Sequence, residues 1–427
     1  MSNNQRRKRK VRKKRNTQKK FFGILLVLLI LIIGGFVIRG INKKDDTTKD
    51  NNIASVFNGK PETYEASILA AGDVMVHGPQ LTAQYDSSSK TYSFDNNFKH
   101  VKKYIEKADY SLANLETTLA GNDVTPYSSY PLFNSPDELA DALKNAGFDL
   151  LSTINNHSFD KGDLGVNRTL STLKEKGFDT VGTRENTSNE DYIIKDINNI
   201  NVGITSYSYG DVKEDNKYLN GIKVSEECED KMNIFHSTDP EEAFQTINST
   251  VKRMNDADMQ IVVIHWGIEY TRDEINFQSE LAQKLCDAGV DLIIGSHPHV
   301  VEPVETIKST DGENETVVIY SLGNYLSNQD RNTVGRYSED GLMVNIDITK
   351  ESNKEEAKIS KVTCIPTWVN KYAANGKYVY EIIPIDDDTD LDSLNSVDQS
   401  NLIQSYKNTS SLVDTSDLIN VAESPFK

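Results

Sequence analysis

The sequence predicts a layered α/β sandwich, and three observations carry that expectation. Apolar runs of strand length alternate with helical periods from Ser67 to about Val290. Polar residues collect where the apolar runs stop, which is the carboxyl edge at which open α/β sheets bind ligands. Late in the chain, VVIYSLGNYL, GLMVNIDITK and KISKVTCIPTWV follow one another with no helix between them, the pattern of antiparallel pairing.

Taken in order, the first twenty residues hold eleven Lys or Arg and no acid. FFGILLVLLILIIGGFVI, Phe21 to Ile38, is apolar throughout and just long enough to cross a bilayer. The basic flank before it places the N-terminus in the cytoplasm and everything after Arg39 outside. A cleaved signal peptide would have a shorter apolar core and a small-x-small site, which is not evident after Ile38, so the expectation is an uncleaved anchor in the cell membrane. The expected organisation is a basic tail (1–20), a transmembrane signal anchor (21–38), a polar tether (39–63), an extracellular domain (64–385) and a polar C-terminal tail (386–427). That last stretch is Ser/Asp/Asn-rich, with at most a short helix around Leu402.

The formal net charge is -17, and without the basic tail 36 basic and 64 acidic residues leave -28. An acidic domain has no general attraction for a polyanion, so nucleic acid is not an expected partner. An anionic substrate would have to be held locally, by metal ions or by a few placed cations such as Arg272, Arg331 or Arg336. Cys228, Cys286 and Cys364 are too few, and odd in number, for a disulfide framework.

Within the domain, SILAAGDVM is the first strand, NFKHVKKYIEKAD a helix, and YSLANLE the next strand. SPDELADALKNAGFD is the best-marked helix, with Ser135 as N-cap, Pro136 at N1, Glu138 closing a capping box and Gly147 as stop. FDLLSTINNH, INVGITSYS, MQIVVIHWG and VDLIIGSHPH supply further strands, with helices at LGVNRTLSTLKEKG, EEAFQTINSTVKRMNDAD and FQSELAQKLCDAG. A polar excursion from Gly210 to about Pro240 reads as a wall or lid over the site.

Strand ends supply the chemistry. Asp73 closes the first strand, Asn114 and Glu116 close LANLE, and Asn155, Asn156 and His157 close STINNH, with Asp160 just beyond. His265 closes IVVIHWG, His297 and His299 close LIIGSHPH, and Asn324 closes IYSLGN. On an extended segment residues i and i+2 point the same way, so His297 and His299 should project together. Any one of these residues could be turn chemistry or a packed core group. A bland explanation repeated six times at carboxyl ends is the weaker one. Carboxylate, imidazole and amide oxygen together suit divalent Mn, Fe or Zn. The set is rich enough for two ions, which could activate water and clamp a transferred phosphoryl group.

GDVMVH, NLETTL, GFDLLSTINNHSFDKGDLG, HWGIEY, GSHPHVVEPVE and YSLGNYLS, in this order, resemble the CapA/PgsA family of poly-γ-glutamate capsule proteins. The resemblance covers roughly Ser67 to Ile348. It implies a four-layered α/β sandwich related to calcineurin-like metallophosphoesterases, with a dinuclear site. By matching motif, Asp73 would be a terminal ligand, Glu116 the bridging carboxylate and Asn156 a ligand of the second ion, with His265, His297 and His299 completing the set. His157 would be the general acid, oriented by Asp160. Asn114, Asn155 and Asn324 would contact substrate. The chain departs from the phosphoesterase pattern at Met75, which stands where those enzymes carry histidine, and at Glu116, where they carry aspartate.

The function so implied is a membrane-anchored surface protein in synthesis, export or attachment of poly-γ-glutamate or a related polymer, partnered by membrane-bound synthase components. Two alternatives are a cell-surface metallohydrolase of phosphoesters or amides, and a non-catalytic polymer-binding scaffold.

Overall fold

The structure, a computed structural model, describes residues 61–214, 216–236 and 238–426. The basic tail, the anchor and nearly all of the tether lie outside these residues. Among the described residues, no helix is long and apolar enough to cross a membrane.

Four parallel neighbours open the fold: β1 (Thr63–Val74), β2 (Tyr110–Leu115), β3 (Leu150–Ser152) and β4 (Asp179–Val181). The chain then builds a second sheet around β5 (Ile200–Lys213), β6 (Met259–His265), β7 (Leu292–Ser296) and β8 (Glu315–Ile319), again parallel and in that spatial order. It returns to the first sheet with β9 (Asn324–Leu326), which pairs parallel with β1. Strands β10 (Asp340–Glu351), β11 (Lys358–Ala374) and β12 (Lys377–Pro384) extend that sheet outward from β1 as antiparallel neighbours. The run VVIYSLGNYL is therefore divided: its start belongs to β8 in one sheet and its end to β9 in the other.

Strand alternation sorts the side chains into layers. On β1, Ile68 and Ala70 face a core shared with Ile204 of β5, Ile261 of β6 and Ile294 of β7, so this cluster lies between the two sheets. Leu69 and Ala71 face the other way, toward Leu139 and Leu143 of helix α1 (Glu138–Ala146) and Leu173 of α2 (Gly162–Glu175). On the far side of the second sheet, Val262, Ile264 and Ile293 pack against Ile247 of α3 (Pro240–Val251) and against Leu281 and Leu285 of α4 (Asn276–Asp287). The order is helices, sheet, sheet, helices. Each fully buried Leu or Ile contributes roughly 1.5–3 kcal/mol through removal from water, and the two-sided burial explains why the parallel strands read as near-continuous apolar runs.

Local expectations hold unevenly. Gly147 ends α1 in the left-handed region at φ 111°, as the stop signal required. Ser135 does not cap that helix. Its hydroxyl lies 2.8 Å from the Thr117 hydroxyl, the helix begins at Glu138, and Asp137 at the N-cap position accepts from Arg168 instead. The segment NFKHVKKYIEKAD forms two single turns, Asp95–Phe98 and Lys102–Ile105. Cys228, Cys286 and Cys364 are all buried and free.

Residues after Asp386, expected to be a peripheral tail, are packed into the same unit. Helix α5 (Ser396–Ser410) buries Leu402 against Trp368, Ile383 and Ile385, and β13 (Ile419–Val421) pairs parallel with β11. Val413 and Ile419 enter the core between the sheets. These few buried apolar side chains stand in a mostly polar stretch, which average composition conceals.

Candidate metal centre

The parallel strands of both sheets end at one edge of the sandwich, and this brings the polar residues together. A bulge aims the first of them. Ala71 pairs with Ala113 and Asp73 with Asn114, leaving Gly72 as the extra residue. A Cβ on Gly72 would lie 2.0 Å from the Gly323 carbonyl oxygen, so only glycine admits this close approach of β1 to the turn before β9.

Asn114 is wedged among the carboxylates. Its Nδ2 donates to Asp73 Oδ1 at 2.8 Å and to Glu116 Oε2 at 3.1 Å, and its Oδ1 accepts from Asn155 Nδ2 at 3.1 Å. Asn155 also donates to the Leu115 carbonyl at 2.9 Å. Both amides are buried and committed to holding β2 against the loop after β3. Asn324 donates to the backbone carbonyls of His299 and Ser338 at 3.2 and 2.8 Å, fixing the histidine loop, while its Oδ1 is buried without a partner. These three asparagines, expected at the substrate, sit among and beneath the ligand candidates.

From the second sheet, His265 Nε2 lies 3.1 Å from Asn156 Oδ1 and 3.8 Å from Glu116 Oε1, and its Nδ1 lies 2.9 Å from Ser296 Oγ. His299 Nδ1 lies 3.1 Å from Asp73 Oδ2 and its Nε2 3.6 Å from Glu116 Oε1. The extended geometry expected for the histidine pair is not what brings them here. β7 ends at Ser296, and His297 and His299 both adopt positive φ, 103° and 56°. Non-glycine residues rarely take such angles, and where they do they concentrate at functional sites. Tyr209 of β5 flanks both rings, with centroids 6.1 Å from His265 and 4.6 Å from His297.

His157 and Asp160 form a second cluster beside the first. Nδ1 of His157 is 2.7 Å from Asp160 Oδ2, which also accepts the Phe133 backbone N–H at 2.7 Å. Phe133 stacks edge-on against His157 at 4.7 Å and against His77 at 5.2 Å. The polar excursion reaches the site through Asn220, whose Nδ2 is 3.5 Å from each ring nitrogen of His157. Arg272 and Arg331 are engaged elsewhere: Arg272 donates to the Asn408 carbonyl and lies over the Tyr337 ring, and Arg331 pairs with Glu339. Arg336 is exposed.

Burial governs the electrostatics. It pushes the His265 and His297 imidazoles well below their usual value, with neighbouring histidines adding to the effect. Burial, and then the charge of Asp73, pushes the Glu116 carboxyl well above its usual value. Burial lowers His77 to about 4. Glu116 Oε1 and His297 Nδ1 are buried with no hydrogen-bond partner, a costly arrangement for groups that are both good metal donors.

The donor geometry fits a metal ion. Asp73, Glu116 and His299 form one group whose ligand atoms lie within 4.8 Å of one another, and Glu116, His265 and His297 form another. Glu116 belongs to both. A third group joins His297 and His299 to Glu269, a residue of HWGIEY that the strand-end pattern did not single out. Its one sequence signal was a carboxylate four residues beyond His265 in a turn leaving the site edge.

Fold and site thus define a mixed α/β protein with a buried carboxylate–imidazole–amide centre of metal-binding character. The family described as "Bacterial capsule synthesis protein PGA_cap" matches residues 67–329, and the chain belongs to it. It is 26% identical over 275 residues to "Capsule biosynthesis protein CapA" of Bacillus anthracis, a match covering 63% of this chain and 61% of that protein. It is 29% identical over 279 residues to "PGA biosynthesis protein CapA" of Bacillus subtilis (strain 168), covering 63% and 66% respectively. The matches thus span somewhat under two thirds of either relative. Among solved structures, it is similar to the calcineurin-like phosphoesterase YfkN of Bacillus subtilis, with 18% identity and a TM-score of 0.37 over 82% of this chain and 98% of that one.

Proposed function

We propose that this chain acts at the cell surface in the synthesis, export or attachment of poly-γ-glutamate or a related capsule polymer, through a hydrolase-like centre for two divalent transition-metal ions. Family membership and the relatives' names support the polymer, and the apolar stretch Phe21–Ile38 behind a basic flank supports membrane anchoring with the domain outside. Membrane-bound synthase components are the partners by the same analogy. The observation that carries the metal reading is Glu116, shared between two ligand groups with one carboxylate oxygen left unpartnered.

Asp73, Glu116, Asn156, His265, His297 and His299 would hold the ions, with Mn, Fe or Zn matching the donor types. When bound, such ions polarise an ester or amide and lower the pKa of water. The protein's own part is positioning and proton handling. Asn114 spaces the two carboxylates, Ser296 sets the ring of His265, and Asp160 holds His157 through Nδ1 so that Nε2 can deliver a proton to a leaving group. A phosphoester or γ-glutamyl amide is the substrate class in this reading. A non-catalytic polymer-binding role draws on one observation, Met75, buried where the resembled enzymes place a histidine.

The test is the metal content of the purified full-length chain beside His297→Ala, followed by incubation with poly-γ-glutamate. About two ions per chain, diminished in the variant, with polymer shortened only by the wild type, is the expected result. A folded wild-type chain that takes up no Mn, Fe or Zn would end the catalytic reading and leave the scaffold.

A further inference from the structure

Glu269 is the single exposed member of the three ligand groups, and its placement is enforced by the backbone. The turn Gly267–Tyr270 follows β6 after Trp266, and Tyr270 adopts φ 63°. The Tyr270 N–H donates to the Pro298 carbonyl at 2.7 Å, which ties this turn to the residue between His297 and His299. Tyr270 is fixed at its other end by Gln329 Nε2, 3.0 Å from the phenol oxygen. Glu269 is thereby held where its carboxylate comes within ligand range of both histidines.

What sets this exposed glutamate apart is its group, in which the buried Nδ1 of His297 has no hydrogen-bond partner. Among the described residues Glu269 forms no ion pair with Lys or Arg. Asp73 and Glu116 share a group with His299, and Glu269 shares one with His297 and His299, so three carboxylates converge on this histidine pair and repel one another unless cations lie among them. His297 belongs to the group containing His265, and His299 to the group containing Asp73. A carboxylate within reach of both can therefore serve either half. Asn156 adds a fourth donor beside His265, but the group of Asp73, Glu116 and His299 offers three, whereas transition-metal sites usually take four or more.

We propose that Glu269 is a metal ligand on the solvent side of the centre, completing coordination that the buried donors leave open. This rests on the metal reading above. A ligand on an exposed turn is also the one that can be displaced by an incoming substrate anion without unfolding the core, which the buried donors cannot be.

The test uses metal-free full-length chain titrated calorimetrically with Mn²⁺ or Zn²⁺, comparing wild type, Glu269→Gln and, as a nearby exposed acid outside the groups, Asp273→Asn. Glu269→Gln is expected to weaken at least one ion by about 10–100-fold, the range seen when a metal site loses a supporting group. The weakening should persist at about 0.5 M salt, where long-range effects between exposed charges are screened. Asp273→Asn should bind as the wild type does. Wild-type number and affinity in Glu269→Gln, or a difference that vanishes at high salt, would overturn the assignment while leaving the centre intact. A wild-type chain that binds no ion overturns both the assignment and the metal reading. Equal melting temperatures of the metal-free proteins exclude misfolding as the cause.

Discussion

The Nδ1 of His157 and the Oδ2 of Asp160 lie 2.7 Å apart, both buried, and the same carboxylate oxygen accepts the Phe133 backbone N–H. One carboxylate thus fixes an imidazole and the loop that stacks on it. Asp160→Ala removes the acceptor from two buried donors and is expected to destabilise the chain by about 1–3 kcal/mol. Asp160→Asn keeps an acceptor for Phe133 and should cost less, while lowering any hydrolytic turnover by about 10–100-fold. Urea denaturation of the two variants beside a turnover assay separates these effects; equal stability losses would show that the Phe133 contact contributes nothing.

Glu302 makes stability depend on pH. It is fully buried, accepts Gln278 Nε2 at 2.7 Å on one oxygen, and burial pushes its carboxyl up to about 8 from 4.5. Below about pH 4.5 folded and unfolded chains both carry the proton. Between there and about pH 8 only the folded chain keeps it, so stability falls as pH rises, by a few kcal/mol at the order-of-magnitude level. Glu302→Gln should flatten that part of the profile, and denaturant midpoints measured from pH 5 to 8.5 would reveal it.

Gly295 is set where β7 passes the Tyr320 carbonyl. A Cβ there would lie 1.8 Å from that oxygen and 2.7 Å from Trp266 Nε1. Gly295→Ala must displace backbone, so a loss of about 3 kcal/mol or more is expected, with weakened metal uptake because His297 follows two residues later. A variant that melts like the wild type would mean that the strand shifts without cost.

Leu402 anchors the C-terminal helix. It is fully buried against Trp368, Ile383 and Ile385, so Leu402→Ala is expected to cost about 2–5 kcal/mol. The same substitution in a peripheral tail would change nothing measurable, and a thermal melt distinguishes the two.

Much of the fold was legible because two-sided burial writes itself into composition. The runs around Ile261 and Ile293 are apolar on both faces, and glycine at 147 stops a helix wherever that helix lies. The helix start is not legible because Ser135 and Asp137 are equally good cap residues in isolation, and contacts with Thr117 and Arg168 engage both side chains elsewhere. The packing of Asn114, Asn155 and Asn324 among the ligand candidates was not legible, because an amide at a strand end carries no mark of which way it points.

The sequence by itself determined which residues stand at the carboxyl ends of strands, and so that Asp73, Glu116, His265, His297 and His299 were candidates for one centre. That follows from a local rule: strand period and turn chemistry are short-range properties. Only the tertiary structure decided how the candidates meet. The left-handed backbone at His297 and His299, the bulge at Gly72, the sharing of Glu116 and the approach of Glu269 to both histidines arise from packing between segments far apart in the chain. The same is true of α5 and β13, whose few apolar residues gain meaning once β11 and its neighbours lie beside them.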